Sequence, residues 1–504
     1  MRIVLSLMVG GVVACSHSGM DGGEPTPGSE GPVATDGGGP VQGSDAGIDL
    51  AELAPKRWVA PTNSVTHDVD ADLTAVLETS VLQGACAAVK NGTADVATRL
   101  RCGKWMFFYE TFGTVGVPIP LLDFLQKHYA DSYYGKGFSK FGLIPDPAST
   151  KGMPLGLAPT TGKVGTVSTL AFTCASCHFG KLPDGRYAVG YGNLQFDYGR
   201  LIASLGAPLM LSLNANDMNV HAQLRQELTM PVAQAKMKAG YQIDMGATGL
   251  QLLGAGSGAQ LNAMEQGRFL ALKAGTMDFL TKPLIEDGVW TVSRLLSLWN
   301  LPDTAQRSRV GMKHEMLSWN GGVDSLEAFL KGFVAIGVSR SEWDDAKLAP
   351  LAEYVRTLRA PTPLTSPNET EARAGARLFV SKGCLTCHPG PSGEGHRVFR
   401  FDEVGTDDAY ANIYNPGVDG KPCCGIAGEA SNVTRGVKAP RMGALFSQVR
   451  FLHNGSVGSL EELFCLIPRQ VDSNPAQGSG GHVMTCEDLS DVEKRNLITY
   501  LKSL

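Results

Sequence analysis

Beyond residue 15 the chain has no apolar run of transmembrane length, and it carries no excess of basic charge. The first absence excludes a spanning helix past that point, because one needs about 20 mostly apolar residues in succession. The second follows from a formal net charge of −5. It gives no reason to expect binding to nucleic acid or to a membrane surface through a basic face. Large apolar residues are almost absent from Ser16 to Gly47, where Gly, Pro, Ser, Asp and Thr dominate. Such a stretch cannot build a core and reads as a flexible tether. The Gly-rich run Gly246 to Gly258 lacks the G-x-x-x-x-G-K-[ST] pattern, so it is no phosphate loop. What is present is bulk: 504 residues, 43% of them hydrophobic, enough for two or three packed domains.

The first residues read as a targeting segment rather than as fold. Arg2 supplies a minimal positive start, and Ile3 to Val13 is apolar but too short to span a bilayer. Val12-Val13-Ala14-Cys15 then resembles a lipoprotein cleavage box, with residues 1–14 as signal peptide and 15–55 as tether. The expected location is the cell envelope, lipid-anchored through Cys15 in the periplasm or at the outer membrane. Disulfides persist in that compartment.

Two segments carry chemistry: Cys174-Ala-Ser-Cys177-His178 and Cys384-Leu-Thr-Cys387-His388. In C-x-x-C-H the two thiols add to the vinyl groups of one haem, and the adjacent imidazole reaches the iron. A redox C-x-x-C, or one zinc held by both pairs, is the competing reading. Two copies behind an export signal, each with its histidine, favour two covalently bound c-type haems. Of the eleven cysteines, four then go to haem and Cys15 to lipid. Cys86, Cys102, Cys423, Cys424, Cys465 and Cys486 remain, an even number that suits disulfides. Cys86 with Cys102 is the local pair; the other four allow three connectivities.

The chain also repeats itself. Leu351-Ala-Glu-Tyr354-Val355-Arg-Thr-Leu358 matches Leu497-Ile-Thr-Tyr500-Leu501-Lys-Ser-Leu504, each with apolar residues on one helix face. Ser490 with Glu493 forms a capping box for the last helix, and Ser341 with Asp344 is its weaker counterpart. Trp319-Asn-Gly-Gly-Val-Asp-Ser325-Leu-Glu327 matches His453-Asn-Gly-Ser-Val-Gly-Ser459-Leu-Glu461 at six of nine positions. Pro361, Pro363 and Pro367 mark a linker, so the units run over 56–360, with insertions, and 366–504. Imidazole ligates iron and indole does not. The expectation is therefore that His453 caps the haem held by His388, while the haem on His178 keeps an open position opposite Trp319. Met442 and Met484 compete with His453, and His314, Met312 and Met316 compete for the first site.

Both halves resemble the dihaem cytochrome c peroxidase superfamily, which includes MauG-type maturation enzymes and rubber oxygenases. The resemblance covers about residues 165–504 and rests on motifs. They are the two C-x-x-C-H segments, Trp319-Asn320-Gly321 (similar to W-D-G) and Phe451 to Ser456 (similar to Y-F-H-D-G-S). Lys438-Ala-Pro-Arg441 and the Glu371 to Phe379 helix add to it. It implies a mainly α chain of two cytochrome c-type haem domains in tandem, the first with large insertions. It also implies a calcium ion between them and a tryptophan between the haems, with Trp319 and Trp299 as candidates. One haem would supply electrons and the other react with peroxide or dioxygen. Two departures stand out. Leu330 to Gly337 lacks the family's catalytic glutamate, so Glu315 and His314 are the nearest acid–base candidates in sequence. The family's methionine ligand is replaced by Leu466 and Ile467, which is closer to the rubber-oxygenase branch. The leading expectation is a dihaem oxidoreductase whose electron donor or organic substrate is not identified. The competing ones are an anchored electron carrier with both irons six-coordinate, and a haem-bearing protein whose insertion binds a partner.

Overall fold

The computed structural model describes residues 65–114, 117–119, 122–123, 126, 138–201, 271–278, 292–336, 342–407, 436–470 and 477–504, apart from 151, 165–166 and 391. Cys15 and the tether, Gly246 to Gly258, Ser341, and Cys423 with Cys424 lie outside the described residues. The architecture is mostly helical with small antiparallel sheets. Among the described residues no helix is long and apolar enough to cross a membrane.

Two crossed helix pairs organise the chain. Helix α1 (Val96–Tyr109) packs on α2 (Asp345–Thr357), and α3 (Glu369–Ser381) packs on α4 (Asp491–Ser503). Each start is capped by a side chain that accepts from an otherwise orphaned N–H. Asp95 accepts from Thr98, Asn368 from Thr370 and Glu371, and Ser490 forms the expected capping box with Glu493. At α2 the cap is Asp344, which accepts from Lys347, one turn later than a cap at Ser341 would start the helix.

The crossings themselves repeat. A Cβ on Gly103 would lie 2.5 Å from Tyr354 Cβ and run into the Pro350 carbonyl. A Cβ on Gly375 would lie 2.7 Å from Tyr500 Cβ and run into the Asn496 carbonyl. Tyr354 and Tyr500 are the matched tyrosines of the sequence repeat, so each pair crosses where a glycine meets the same partner. Phe107 meets Tyr354 edge-on at 6.1 Å, and Phe379 meets Tyr500 edge-on at 5.6 Å. Two apolar clusters follow from this, a larger one around α1 and α2 and a smaller one around α3 and α4. Inside the first, Lys104 is fully buried between Asp68 (3.2 Å) and Glu78 (2.6 Å).

The two Asn-Gly loops repeat residue for residue. Leu317 bridges Val323, and Phe451 bridges Val457. Ser318 and Leu452 take positive φ (64° and 63°), as do Gly321 and Gly455 (66° and 70°). Asn320 Oδ1 accepts from Gly322 N–H, and Asn454 Oδ1 accepts from Ser456 N–H. Ser325 and Ser459 then accept N–H bonds from the helices that begin at Leu326 and Leu460. Cys86 is bonded to Cys102 as expected, and Cys465 is bonded to Cys486.

Candidate functional site

The first C-x-x-C-H segment is a single helical turn, Cys174–His178, held from both sides. Thr173 donates to the Phe108 carbonyl at the end of α1 (3.0 Å), and Ser176 donates back to Thr173 (2.7 Å). On the exit side the Cys177 carbonyl accepts from Asn193 N–H (2.8 Å) and that of His178 from Gly190 N–H (2.7 Å). The chain then enters a small sheet in which Phe179–Lys181 pairs with Tyr187–Val189. Both thiols are free, and burial pushes Cys174 up to about 12 and Cys177 up to about 11. Met277 Sδ lies 3.7 Å from Cys177 Sγ. Burial pulls the His178 imidazole down to about 4, opposed only by the Leu296 backbone, so it is neutral at pH 7. Its Nδ1 is buried without a well-formed hydrogen bond.

The second segment, Cys384 to His388, opens on a 3₁₀ turn after Gly383. Its thiols are also free and raised by burial, Cys384 to about 11. His388 Nδ1 lies 2.6 Å from the Gly393 carbonyl, which makes Nδ1 the protonated nitrogen and leaves the Nε2 lone pair free.

These groups face a cavity of about 400 Å³ between α3, α4 and the two Asn-Gly loops. That is within the range of cofactor sites. Phe379, Leu497 and Leu501 give it apolar walls, while Arg294, Lys438 and Arg441 bring buried cations to it. Burial, aided by the Arg441 charge, pulls Lys438 down to about 7. Arg441 is spent on the Ser297 and Trp299 carbonyls (2.9 and 2.8 Å), whereas Arg294 Nε is buried without a partner. Free vicinal thiols, an imidazole with one nitrogen spare, apolar walls and an orphaned guanidinium nitrogen fit a flat apolar ligand that carries carboxylates. A haem is such a ligand.

A second imidazole faces His388. His482 lies with its ring centre 6.5 Å from that of His388, at 67°, and lines the same cavity. Burial and the neighbouring His388 hold it down to about 4. It was not among the sequence candidates, being a lone histidine after a Gly/Ser stretch with no periodic pattern. The signal that could have found it is the cysteine frame, since Cys465 and Cys486 bracket it.

His453 lines the cavity too, but its ring is taken up at the junction of the two loops. It meets Trp319 at 6.4 Å and Phe401 at 6.0 Å, and its Nδ1 lies 3.4 Å from Thr406 Oγ1. Trp319 donates to the Arg294 carbonyl (2.9 Å), and Arg294 N–H donates to the His453 carbonyl (2.7 Å). Trp319 and His453, matched in the repeat, therefore pack on each other. Trp299 sits deeper. It donates to the Val189 carbonyl (2.7 Å), stacks on Tyr191 at 5.7 Å and lines the same cavity. Gly190, which bonds to His178, lies against its indole. Trp299 thus lies against both C-x-x-C-H regions.

The acid–base candidates are placed otherwise than sequence proximity implied. Glu315 is buried and fully engaged, by Arg356 (2.9 Å), Arg307 (3.3 Å) and Leu326 N–H (2.5 Å). These contacts tie it to the start of the Leu326–Ile336 helix. His314 is exposed. Of the methionine candidates, Met442 packs against Gly393 beside His388, and Met484 is half exposed at the cavity mouth. Among the described residues no group of three or more His, Cys, Asp or Glu side chains is gathered for a metal ion.

No family model matches the chain, and no curated protein sequence does. Among solved structures, hydrazine synthase from Kuenenia stuttgartiensis, pressurised with xenon, is 19% identical over 48% of this chain and 79% of its own. Its TM-score is 0.25, a likeness too weak to carry an argument.

Proposed function

We propose that this chain is an extracytoplasmic dihaem c-type oxidoreductase of the cytochrome c peroxidase superfamily, lipid-anchored through Cys15. The observation that carries the reading is the state of the cysteines. Cys86 with Cys102 and Cys465 with Cys486 are paired, while the four thiols of the C-x-x-C-H segments are free beside neutral imidazoles. In a disulfide-permissive compartment, unpaired vicinal thiols need another covalent partner, and the vinyl groups of haem supply it. Cys174, Cys177 and His178 would hold the first haem, and Cys384, Cys387 and His388 the second.

Bound haem supplies a redox-active iron for peroxide or dioxygen. The chain's own residues do the rest. Burial keeps His178 and His388 neutral, the form in which imidazole ligates. The Gly393 carbonyl orients His388 and makes it the stronger donor. Arg294 offsets the charge of a carboxylate brought into the cavity beside His388. Trp299 bridges the two regions as a buried, oriented indole. An open position at the first site is supported by the stretch from Ser325 to Tyr354, which holds no His, Met or Cys where the second unit holds His482. That openness is what assigns the oxidant to the first site and electron supply to the second.

The test is to purify the chain from a haem-loading host and measure covalent haem, then oxidant consumption with ascorbate as donor. Two haems per chain, and consumption lost in His178→Gly, are expected. One haem or none, or consumption unchanged in that variant, would overturn the proposal.

A further inference from the structure

We infer that His482 is the axial ligand opposite His388 on the second haem, and that His453 is not. The inference deepens the two-haem reading and rests on it. Two imidazoles bound to one metal through nitrogen bonds of about 2 Å hold their ring centres about 6 Å apart. The His388 and His482 centres are 6.5 Å apart, inside the cavity that the Cys384 and Cys387 thiols face. His453 instead packs edge-on against Trp319 (6.4 Å) and Phe401 (6.0 Å) at the junction of the two loops.

The loop that carries His482 is built to hold it there. His482 sits at φ 55°, a conformation that costs energy for a residue with a Cβ and persists only when its surroundings impose it. Its N–H donates to the Val404 carbonyl (3.1 Å). Arg469 gathers four carbonyls around the loop: Glu462 (3.1 Å), Leu463 (2.8 Å), Ser479 (2.8 Å) and Gly481 (2.7 Å). The Cys465–Cys486 bond closes the same segment. Thr485 Oγ1 donates to the His482 carbonyl (2.8 Å) and lies 3.5 Å from His482 Nδ1. With its own proton committed, that hydroxyl accepts from Nδ1–H, which leaves the Nε2 lone pair for a metal. Arg469 and the disulfide are positioning elements; His482 is the ligand.

The ferric haem-loaded protein is compared with its His482→Gly, His482→Met and His453→Gln variants by EPR and near-infrared magnetic circular dichroism. His482→Gly is expected to convert one low-spin bis-nitrogen haem to high spin, and added imidazole to restore it. His482→Met is expected to stay low-spin, with the near-infrared band moved to that of a nitrogen–sulfur pair and the potential raised. His453→Gln is expected to keep the wild-type low-spin signal. An unchanged bis-nitrogen signal in His482→Gly, or in His482→Met if the glycine variant does not fold, overturns the assignment. So does loss of that signal in His453→Gln alone. Covalent haem measured on the unmodified protein keeps the two readings apart. Absent haem contradicts the proposed function, whereas two haems with unchanged variant spectra contradict only the ligand.

Discussion

The two C-x-x-C-H regions share a plan and differ in what faces their histidine. Each sits by a crossed helix pair pinned by glycine against tyrosine, and each is followed by an Asn-Gly loop of the same backbone shape. In the second region His388 is hydrogen-bonded at Nδ1, faced by His482 and set in a cavity. In the first, His178 has a buried Nδ1 without a well-formed bond, and the stretch from Ser325 to Tyr354 offers no soft or imidazole ligand. On the proposed reading, a duplicated scaffold would carry two different jobs through a few substitutions. Closing one iron on both faces favours electron transfer, and leaving the other open favours reaction with a small molecule.

The largest effect that separates the regions is loss of a whole cofactor. Replacing Cys174 and Cys177 by Ala should remove one covalent haem per chain, and replacing Cys384 and Cys387 should remove the other, both read by intact mass. If either pair leaves two haems in place, the assignment of thiols to haems fails.

Next come the crossings. Gly103→Ala and Gly375→Ala each force a Cβ into a carbonyl and a tyrosine, at a cost of about 1–3 kcal/mol. Urea melts should show a lower midpoint for both. A midpoint unchanged in one alone would show that the two crossings are not equivalent.

Acid should act through the junction of the loops. Burial holds His453 down to about 4, with Asp407 opposing, so between pH 6.5 and 4 the unfolded chain binds a proton that the folded chain does not. Stability contributed at neutral pH is lost as pH falls through that window, by about 3 kcal/mol in full. His453→Gln should flatten that part of the pH–stability curve, and an identical slope in the variant would remove His453 as the cause.

The smallest expected effect is at Trp299. Trp299→Phe keeps the stacking on Tyr191 but loses the donor to Val189, worth about 1 kcal/mol. Stopped-flow reduction should also show slower electron sharing between the haems. Equal rates would mean that the path runs elsewhere.

How much of this was readable in the chain depends on distance along it. The Cys86–Cys102 bond and the Ser490 capping box are local patterns, and the structure contains both. The repeat was legible because residues in register keep their spacing, and Tyr354 with Tyr500 shows it most clearly. What stayed hidden depends on contacts between distant segments. Glu315 looked like an acid by proximity to Trp319, yet Arg356, far along the chain, determines its role. The sequence pointed to His453 because it replaces an indole, whereas the approach of His482 to His388 depends on the loop closed by Cys465 and Cys486, which the sequence does not show. The cap on α2 moved to Asp344 for a smaller reason: it is the residue immediately before the first helical turn.

The most direct measurement of the central claim is the EPR spectrum of the fully ferric, haem-loaded protein. The account predicts one high-spin and one low-spin bis-nitrogen signal, in equal amounts. Two low-spin signals would contradict it and make both regions electron carriers.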